Sequence, residues 1–232
     1  MSDSPQSPDQ SGPPVDRARQ RRGIRRTVAI LVSVVAVVVG LQVYKVTRAP
    51  ALDREALREQ GVIVFEQPRN ISDFELVTHR EEPFTPESLE EQWTLIFFGF
   101  THCPDICPLT MVDLARLMEE LPEELEPRTQ VLLVTLDPAR DDPEVLSDYV
   151  PHFHPDFTGV TGEFLTIRRF ANEMNVAFSK VTQGDDEDYT VDHSGHIALV
   201  NPRGDYHALF KPPFDPAVMA GQYETIVDSF RF

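Results

Sequence analysis

The chain has 232 residues, enough for one domain of ordinary size with an appendage but too few for two full catalytic domains. Hydrophobic residues at 41% against 25% charged ones exclude wholesale disorder, and a formal net charge of −17 argues against a nucleic-acid binder, which needs an excess of Lys and Arg to neutralise phosphates. Only two cysteines occur, Cys103 and Cys107, which excludes a disulfide-dense scaffold or a four-cysteine zinc site.

The charge is unevenly spread. Residues 1–48 hold eight basic and three acidic side chains, whereas the remainder holds 13 basic and 35 acidic ones. Ser, Pro, Gln and Asp dominate Met1 to Asp16, a composition that buries too little apolar surface to order a chain, so residues 1–26 read as a disordered basic tail. Thr27 to Val43 then runs for 17 residues without a charge, a helix of about 26 Å, sufficient to cross a hydrocarbon core with little tilt. Residues 27–44 are therefore expected to be a transmembrane anchor. Six arginines precede it and only Lys45 and Arg48 closely follow, which leaves the N-terminus in the cytoplasm and exports everything after Tyr44. The expected location is the inner (cytoplasmic) membrane, single-pass, with the C-terminal domain in the periplasm. A cleavable signal peptide ending near Ala49-Pro50-Ala51 fits less well, because the gap after the apolar run is long.

Residues 45–60 read as a linker and 61–232 as the exported domain. Val62 to Phe65 and Phe74 to Thr78 are short β-type runs, expected to form a small leading hairpin. Trp93 to Phe100 is a near-continuous apolar run of strand length, as in a central strand buried on both faces. Asp105 to Leu121 carries apolar residues at helical spacing, with Pro108 tolerated in the first turn. Val131 to Leu136 is the next buried strand, followed by helices at Pro143 to Val150 and Glu163 to Met174. Strands at His196 to Val200 and Tyr206 to Phe210 flank a turn at Asn201 to Asp205, and a last helix spans Asp215 to Asp228. A buried strand delivering a cysteine pair to the start of a helix is the arrangement of an α/β, thioredoxin-like fold, where the helix N-terminus lowers thiol pKa.

The pair Cys103-Pro104-Asp105-Ile106-Cys107 has one residue more between its sulfurs than the CxxC of dithiol oxidoreductases. On a helix, positions i and i+4 share a face, so both sulfurs could point at one ion. Soft sulfur ligands select copper(I), and an added imidazole gives a three-ligand site that also tolerates copper(II). Seven histidines compete for that role. His79, His102, His152, His154 and His207 lie in surface-like contexts, and spacing leaves His193 and His196 nearly tied. Met111, Met118 and Met174 read as helix packing, and Asp141-Asp142 as a helix start.

GFTHCPDICP from Gly99 to Pro108, LDPARD from Leu136 to Asp141, and DEDYTVDHS from Asp186 to Ser194 together resemble the Sco/SenC family of membrane-anchored copper proteins, over roughly Phe74 to Phe230. The resemblance implies a thioredoxin-like exported domain that binds one copper ion, Cu(I) or Cu(II), and helps assemble the CuA centre of cytochrome c oxidase. Carried over by motif, Cys103 and Cys107 match the thiolate ligands and His193 the imidazole ligand. Asp137 matches an acidic position near the site, for positioning or partner contact. The implied partners are the oxidase subunit carrying the CuA site and other copper chaperones. Arg80-Glu81-Glu82 departs from the family by replacing a frequent glycine-containing turn. Alternative functions for the pair are a thiol-disulfide oxidoreductase that reduces the acceptor's cysteines, or a redox sensor. A purely structural disulfide is disfavoured because so short a loop removes little unfolded-state entropy.

Overall fold

The computed structural model describes residues 17–47, 52–182 and 189–230. The chain divides into two compact units, residues 1–50 and 51–232.

In the first unit, helix α1 (Arg17–Thr47) has 31 residues and is about 46 Å long. Its stretch Arg25–Gln42 is long and apolar enough to cross a membrane, and none of it is buried against protein. The helix begins ten residues before the expected anchor, so the part of the tail from Arg17 is helical rather than disordered. The expected disorder of residues 1–16 lies outside the described residues.

The second unit begins with α2 (Arg54–Glu59), inside the stretch expected to be linker. Asp53 caps it by accepting from the Ala56 N–H, and Leu57 is buried, so capping and one apolar anchor order what composition suggested was loose. Then follow β1 (Val62–Arg69), β2 (Leu76–Thr78), β3 (Pro83–Phe84), β4 (Trp93–Gly99), α3 (Ile106–Glu120), β5 (Thr129–Thr135), α4 (Pro143–Tyr149), β6 (Thr158–Thr161), α5 (Phe164–Glu173), β7 (Phe178–Thr182), β8 (Tyr189–His193), β9 (Ile197–Val200), β10 (Tyr206–Phe210) and α6 (Pro216–Ser229).

Eight strands form one sheet in the order β1-β10-β9-β4-β5-β6-β2-β3, while β7 and β8 form a separate antiparallel ribbon. The expected leading hairpin does not exist. β1 pairs with β10, and β2 lies between β6 and β3, so the two runs stand at opposite ends of the sheet order and do not meet. The turn between β2 and β3 is where Arg80-Glu81-Glu82 departs from the family, and Glu81 adopts φ 62°, the left-handed conformation a glycine takes more cheaply.

β4, β5 and β6 are parallel, joined by crossovers through α3 and α4. Burial on both sides explains why β4 reads as an unbroken apolar run. On one face, Phe98 meets Phe170 of α5 at 5.6 Å between ring centroids. On the other, Trp93 meets Tyr223 of α6 at 6.2 Å, and the Tyr223 hydroxyl donates to Thr129 Oγ1 at 2.5 Å. Met111, Met118 and Met174 are buried in the core. Asp142 and Asp215 cap α4 and α6 by accepting from the N–H groups of Val145 and Val218, each followed by proline in the first turn.

Candidate metal centre

The site gathers at the C-terminal end of β4. Past Gly99 the chain turns, with Cys103 N–H donating to Phe100 O at 3.3 Å, and delivers Cys103 just ahead of α3. The two cysteines therefore do not share a helix face as i and i+4 spacing suggested. Cys107 is in the first turn of α3, while Cys103 sits in the approach to it, and its Sγ accepts the Cys107 N–H at 3.4 Å. The N-cap residue, Asp105, makes no capping bond with its side chain. Sulfur thus satisfies a helix N-terminal amide in place of the missing side-chain cap. Both thiols are free.

Cys107 is fully buried, and its sulfur is admitted by the absence of a side chain at Gly99. A Cβ there would stand 3.0 Å from Cys107 Sγ and 2.9 Å from Phe97 Cε1. Burial, and then the contact with Cys103, push the Cys107 thiol well above the ordinary range, so it is protonated in the metal-free protein.

His193 ends β8, 86 residues further on, and its Nε2 lies 3.7 Å from Cys107 Sγ. Its Nδ1 is 3.1 Å from the carbonyl of Ser194, which can only accept. Nδ1 therefore carries the proton and Nε2 presents its lone pair to the sulfur. Burial lowers the His193 pKa, favouring this neutral form. Phe97 and Phe100 wall the imidazole, with ring centroids at 6.0 and 6.2 Å.

His196, nearly tied with His193 by spacing, is turned away: its Nε2 lies 2.9 Å from the Met174 carbonyl, to which it donates. Two other histidines differ from their expected surface setting. His79 and His207 are buried, the first accepting the Gly159 N–H at 2.9 Å through Nδ1, the second inside the wholly buried strand β10. His102 and His152 are exposed.

Asp137 is buried and already engaged. Tyr189 Oη donates to its two oxygens at 2.8 and 3.0 Å, Arg140 Nε donates to Oδ2, and Arg140 Nη1 donates to the Tyr189 carbonyl at 3.2 Å. The carboxylate ties the β5–α4 loop to the strand that carries His193. A groove of about 650 Å3 lies beside it, lined by Asp137, Phe164, Arg168, Phe178, Lys180 and Tyr189 among others, but by neither cysteine nor His193. The acidic run from Asp185 to Asp188 lies outside the described residues.

One residue of the site escaped the sequence reading. Asp141, taken as a helix start, is fully buried and accepts from Thr101 N–H at 3.0 Å, Thr101 Oγ1 at 2.5 Å and Thr135 Oγ1 at 2.6 Å. It staples the cysteine loop to the end of β5. Its only sequence signal is the LDPARD run itself, since its partners Thr101 and Thr135 are 40 and six residues away.

Among the described residues, no three His, Cys, Asp or Glu side chains already stand as a metal-holding group. Cys107 Sγ and His193 Nε2 face each other across 3.7 Å, while the Cys103 sulfur accepts the Cys107 N–H.

Comparison with known proteins decides the family: the SCO1/SenC family model matches residues 65–228. The chain belongs to the SCO1/SenC family. A Stutzerimonas stutzeri protein described by its name as copper-binding is 39% identical over 164 residues, 70% of this chain and 80% of its own. Yeast Sco1, solved with copper bound, is 32% identical with a TM-score of 0.64, covering 71% of this chain and 91% of that one. BsSco, described as a member of the Sco family of cytochrome c oxidase assembly proteins, is 20% identical with a TM-score of 0.53, covering 72% and 95%. It shares the fold. The chain spans 64% of the length of mouse SCO2 and 50% of yeast SCO2, both mitochondrial. The second unit thus has the thioredoxin-like α/β fold of Sco proteins, and the described residues include one N-terminal helix fit to be an anchor.

Proposed function

We propose that this protein binds one copper ion through Cys103, Cys107 and His193 and delivers it to the CuA-bearing subunit of cytochrome c oxidase. The observation that carries the proposal is the facing of the Cys107 sulfur and the His193 Nε2 lone pair across 3.7 Å. With bonds of about 2.3 Å to sulfur and 2.0 Å to nitrogen, as zinc makes them, that separation corresponds to an angle of about 120° at an ion between them. Such an angle suits a trigonal two-thiolate, one-imidazole site, which accepts copper in either oxidation state.

Binding requires both thiols to lose their protons, and the raised pKa of Cys107 makes affinity increase with pH. The Cys103 sulfur keeps lone pairs for the ion while it accepts the Cys107 N–H. Transfer then proceeds by ligand exchange: acceptor thiolates form bonds to copper as those of Cys103, Cys107 and His193 break, with no change in oxidation state. The copper-bound Sco structures support this reading, as does the description of the family in oxidase assembly. We also propose that α1 anchors the domain in the inner membrane, with the domain in the periplasm and other copper chaperones among its partners. The arginine cluster before the apolar run favours that orientation.

The test is titration of the reduced protein with one equivalent of copper(II). A thiolate-to-copper absorption is expected in the wild type and its loss in His193→Ala. An unchanged absorption in the variant would refute the ligand set.

A second reading rests on the asymmetry of the pair, with Cys103 half-exposed at a helix N-terminus and Cys107 buried. This suits Cys103 to attack a disulfide and Cys107 to resolve it. The pair would become a disulfide, and its two electrons and two protons would convert the acceptor's disulfide to two thiols. Turnover of a disulfide substrate that survives His193→Ala would favour this reading.

A further inference from the structure

Among the described residues, two buried side-chain polar atoms lack a hydrogen-bond partner, Arg140 Nη2 and Tyr149 Oη. Arg140 is otherwise engaged: it donates to Asp137 and to the Tyr189 carbonyl, and its guanidinium rests 3.8 Å from the centre of the Tyr189 ring. Tyr149 has no such engagement for its hydroxyl. It ends α4, its ring meets Phe153 at 5.1 Å between centroids, and the residue is only half-buried, yet the hydroxyl is the enclosed end. A tyrosine near the surface ordinarily does the reverse, burying its ring and sending the hydroxyl to water. A hydroxyl shut in without a partner destabilises the fold that holds it.

The sheet puts this hydroxyl on the side of the cysteines. Leu133 of β5 stands level with Phe97 of β4 and Gly159 of β6. Strand side chains alternate between faces, so Phe97, Leu133 and side chains built on Gly99 and Gly159 share one face. On that face a Cβ at Gly99 would stand 3.0 Å from Cys107 Sγ and 3.3 Å from Leu133 Cδ1. One at Gly159 would stand 3.0 Å from Leu146 Cβ and from Val150 Cγ2, the neighbours of Tyr149 along the chain. The first turn of α3 and the end of α4 therefore cover the same face of the sheet. The charges that bear on the Tyr149 hydroxyl are, in order, those of Cys107, Cys103 and Asp141. Burial above all, and then these charges, hold its pKa well above the ordinary range, so it stays a proton donor. Asp141 already accepts from Thr101 N–H, Thr101 Oγ1 and Thr135 Oγ1. The two sulfurs remain. In the metal-free protein Cys107 keeps its proton and is a weak acceptor, whereas a thiolate is a strong one.

We infer that the Tyr149 hydroxyl donates a hydrogen bond to the Cys107 thiolate when copper is bound, and that this bond holds the loaded site. The Cys107 thiol proton leaves to solvent as the sulfur bonds copper, and the tyrosine keeps its own proton. The hydroxyl thereby gains the acceptor it lacks in the metal-free fold, and the buried negative sulfur gains a donor besides the ion. Tyr149 makes no bond to copper. It is a positioning residue that acts through the sulfur, as groups behind metal ligands do. This inference rests on the copper-binding reading above.

The experiment compares the full-length wild type with Tyr149→Phe, which removes the hydroxyl and keeps the ring. Both proteins, reduced and in detergent, are given one equivalent of copper(II) without oxygen, and the metal is then withdrawn by titration with EDTA while the thiolate-to-copper absorption is followed. Tyr149→Phe is expected to hold copper about 10- to 100-fold more weakly, the usual result of losing a group behind a metal ligand. Its band should move to longer wavelength, because a thiolate without the hydrogen bond gives up an electron to copper more readily. The urea midpoint of the metal-free variant should equal or exceed the wild type's, since the lost hydroxyl had no partner there. An affinity within about twofold of the wild type, or an unmoved band, would overturn the inference. So would a lower metal-free midpoint, because the hydroxyl would then have a partner before copper arrives. A wild type that forms no band would overturn the copper reading itself, and this inference with it.

Discussion

Replacing Gly99 by alanine probes the closest packing in the site. The backbone permits it, since Gly99 lacks the positive φ of Gly61, Gly162 and Gly204, which have φ of 87°, 155° and 77°. The obstacle is space. The new methyl would stand 2.9 Å from Phe97 Cε1, 3.0 Å from Cys107 Sγ and 3.3 Å from Leu133 Cδ1, where non-bonded carbons prefer roughly 3.5–4.0 Å. All three neighbours are fully buried, so none can swing into solvent. Over-packing of this kind costs roughly 1–3 kcal/mol, and three contacts at once argue for about 2–3 kcal/mol. Against this stands a gain of roughly 0.4–1 kcal/mol from the stiffer unfolded chain. The expected net loss is about 1–2.6 kcal/mol, read as a lower urea midpoint with an unchanged slope. Because Phe97 backs His193 and Cys107 faces it, the same shift should weaken and displace the thiolate-to-copper absorption. A Gly99→Ala protein as stable as the wild type, with an identical copper spectrum, would refute the claim that the missing side chain makes room for the sulfur.

Asp141→Ala strands one buried N–H and two hydroxyls that now donate to a carboxylate, so a loss of at least roughly 3 kcal/mol is expected from urea unfolding. A loss under about 1 kcal/mol would contradict the stapling role. His207 gives a pH dependence. Burial above all, then the nearby Arg203 and Arg54, hold its pKa down to about 4, and Asn201 donates to its unprotonated Nδ1 at 3.2 Å. An unfolded histidine titrates near 6.5, so the native state binds the proton less readily than the unfolded chain. The associated stability is complete above pH 6.5 and is lost as pH falls towards 4, roughly 3 kcal/mol in all. Urea midpoints at pH 7 and pH 4.5 should therefore converge in His207→Gln relative to the wild type. A residual slope is expected, since burial lowers the pKa of His79, His193 and His196 too. An identical pH dependence in both proteins would count against the assignment.

The elements legible in the sequence were those whose burial writes a local pattern. Trp93 to Gly99 is apolar at every position because both faces of β4 are covered, and α4 and α6 announce themselves by Asp-Pro at their starts. The strands that escaped lack such a pattern. β6 is four residues long, and β7, in the ribbon that presents His193, is exposed at its last four positions. β1 and β2 were misjudged as partners because β10, which pairs with β1, and β6, which pairs with β2, lie more than 80 residues away, and no turn residue encodes such pairings. His79 and His207 looked like surface histidines because a histidine's burial depends on what folds over it rather than on its neighbours in the chain.

The amino-acid order by itself determined the donor types, the apolar helix near the N-terminus, the buried strand and the cysteine loop ahead of a helix, since spacing, hydropathy and turn chemistry act over a few residues. It left His193 level with His196, and it left Asp141 a helix start. Only the tertiary structure separated the two imidazoles, turning one towards Cys107 and the other to the Met174 carbonyl, and only it brought Thr101 and Thr135 onto Asp141. These contacts arise where the ribbon and the ends of β4 and β5 close over one another, and that closure is paid for by the burial of the whole sheet rather than by any local segment.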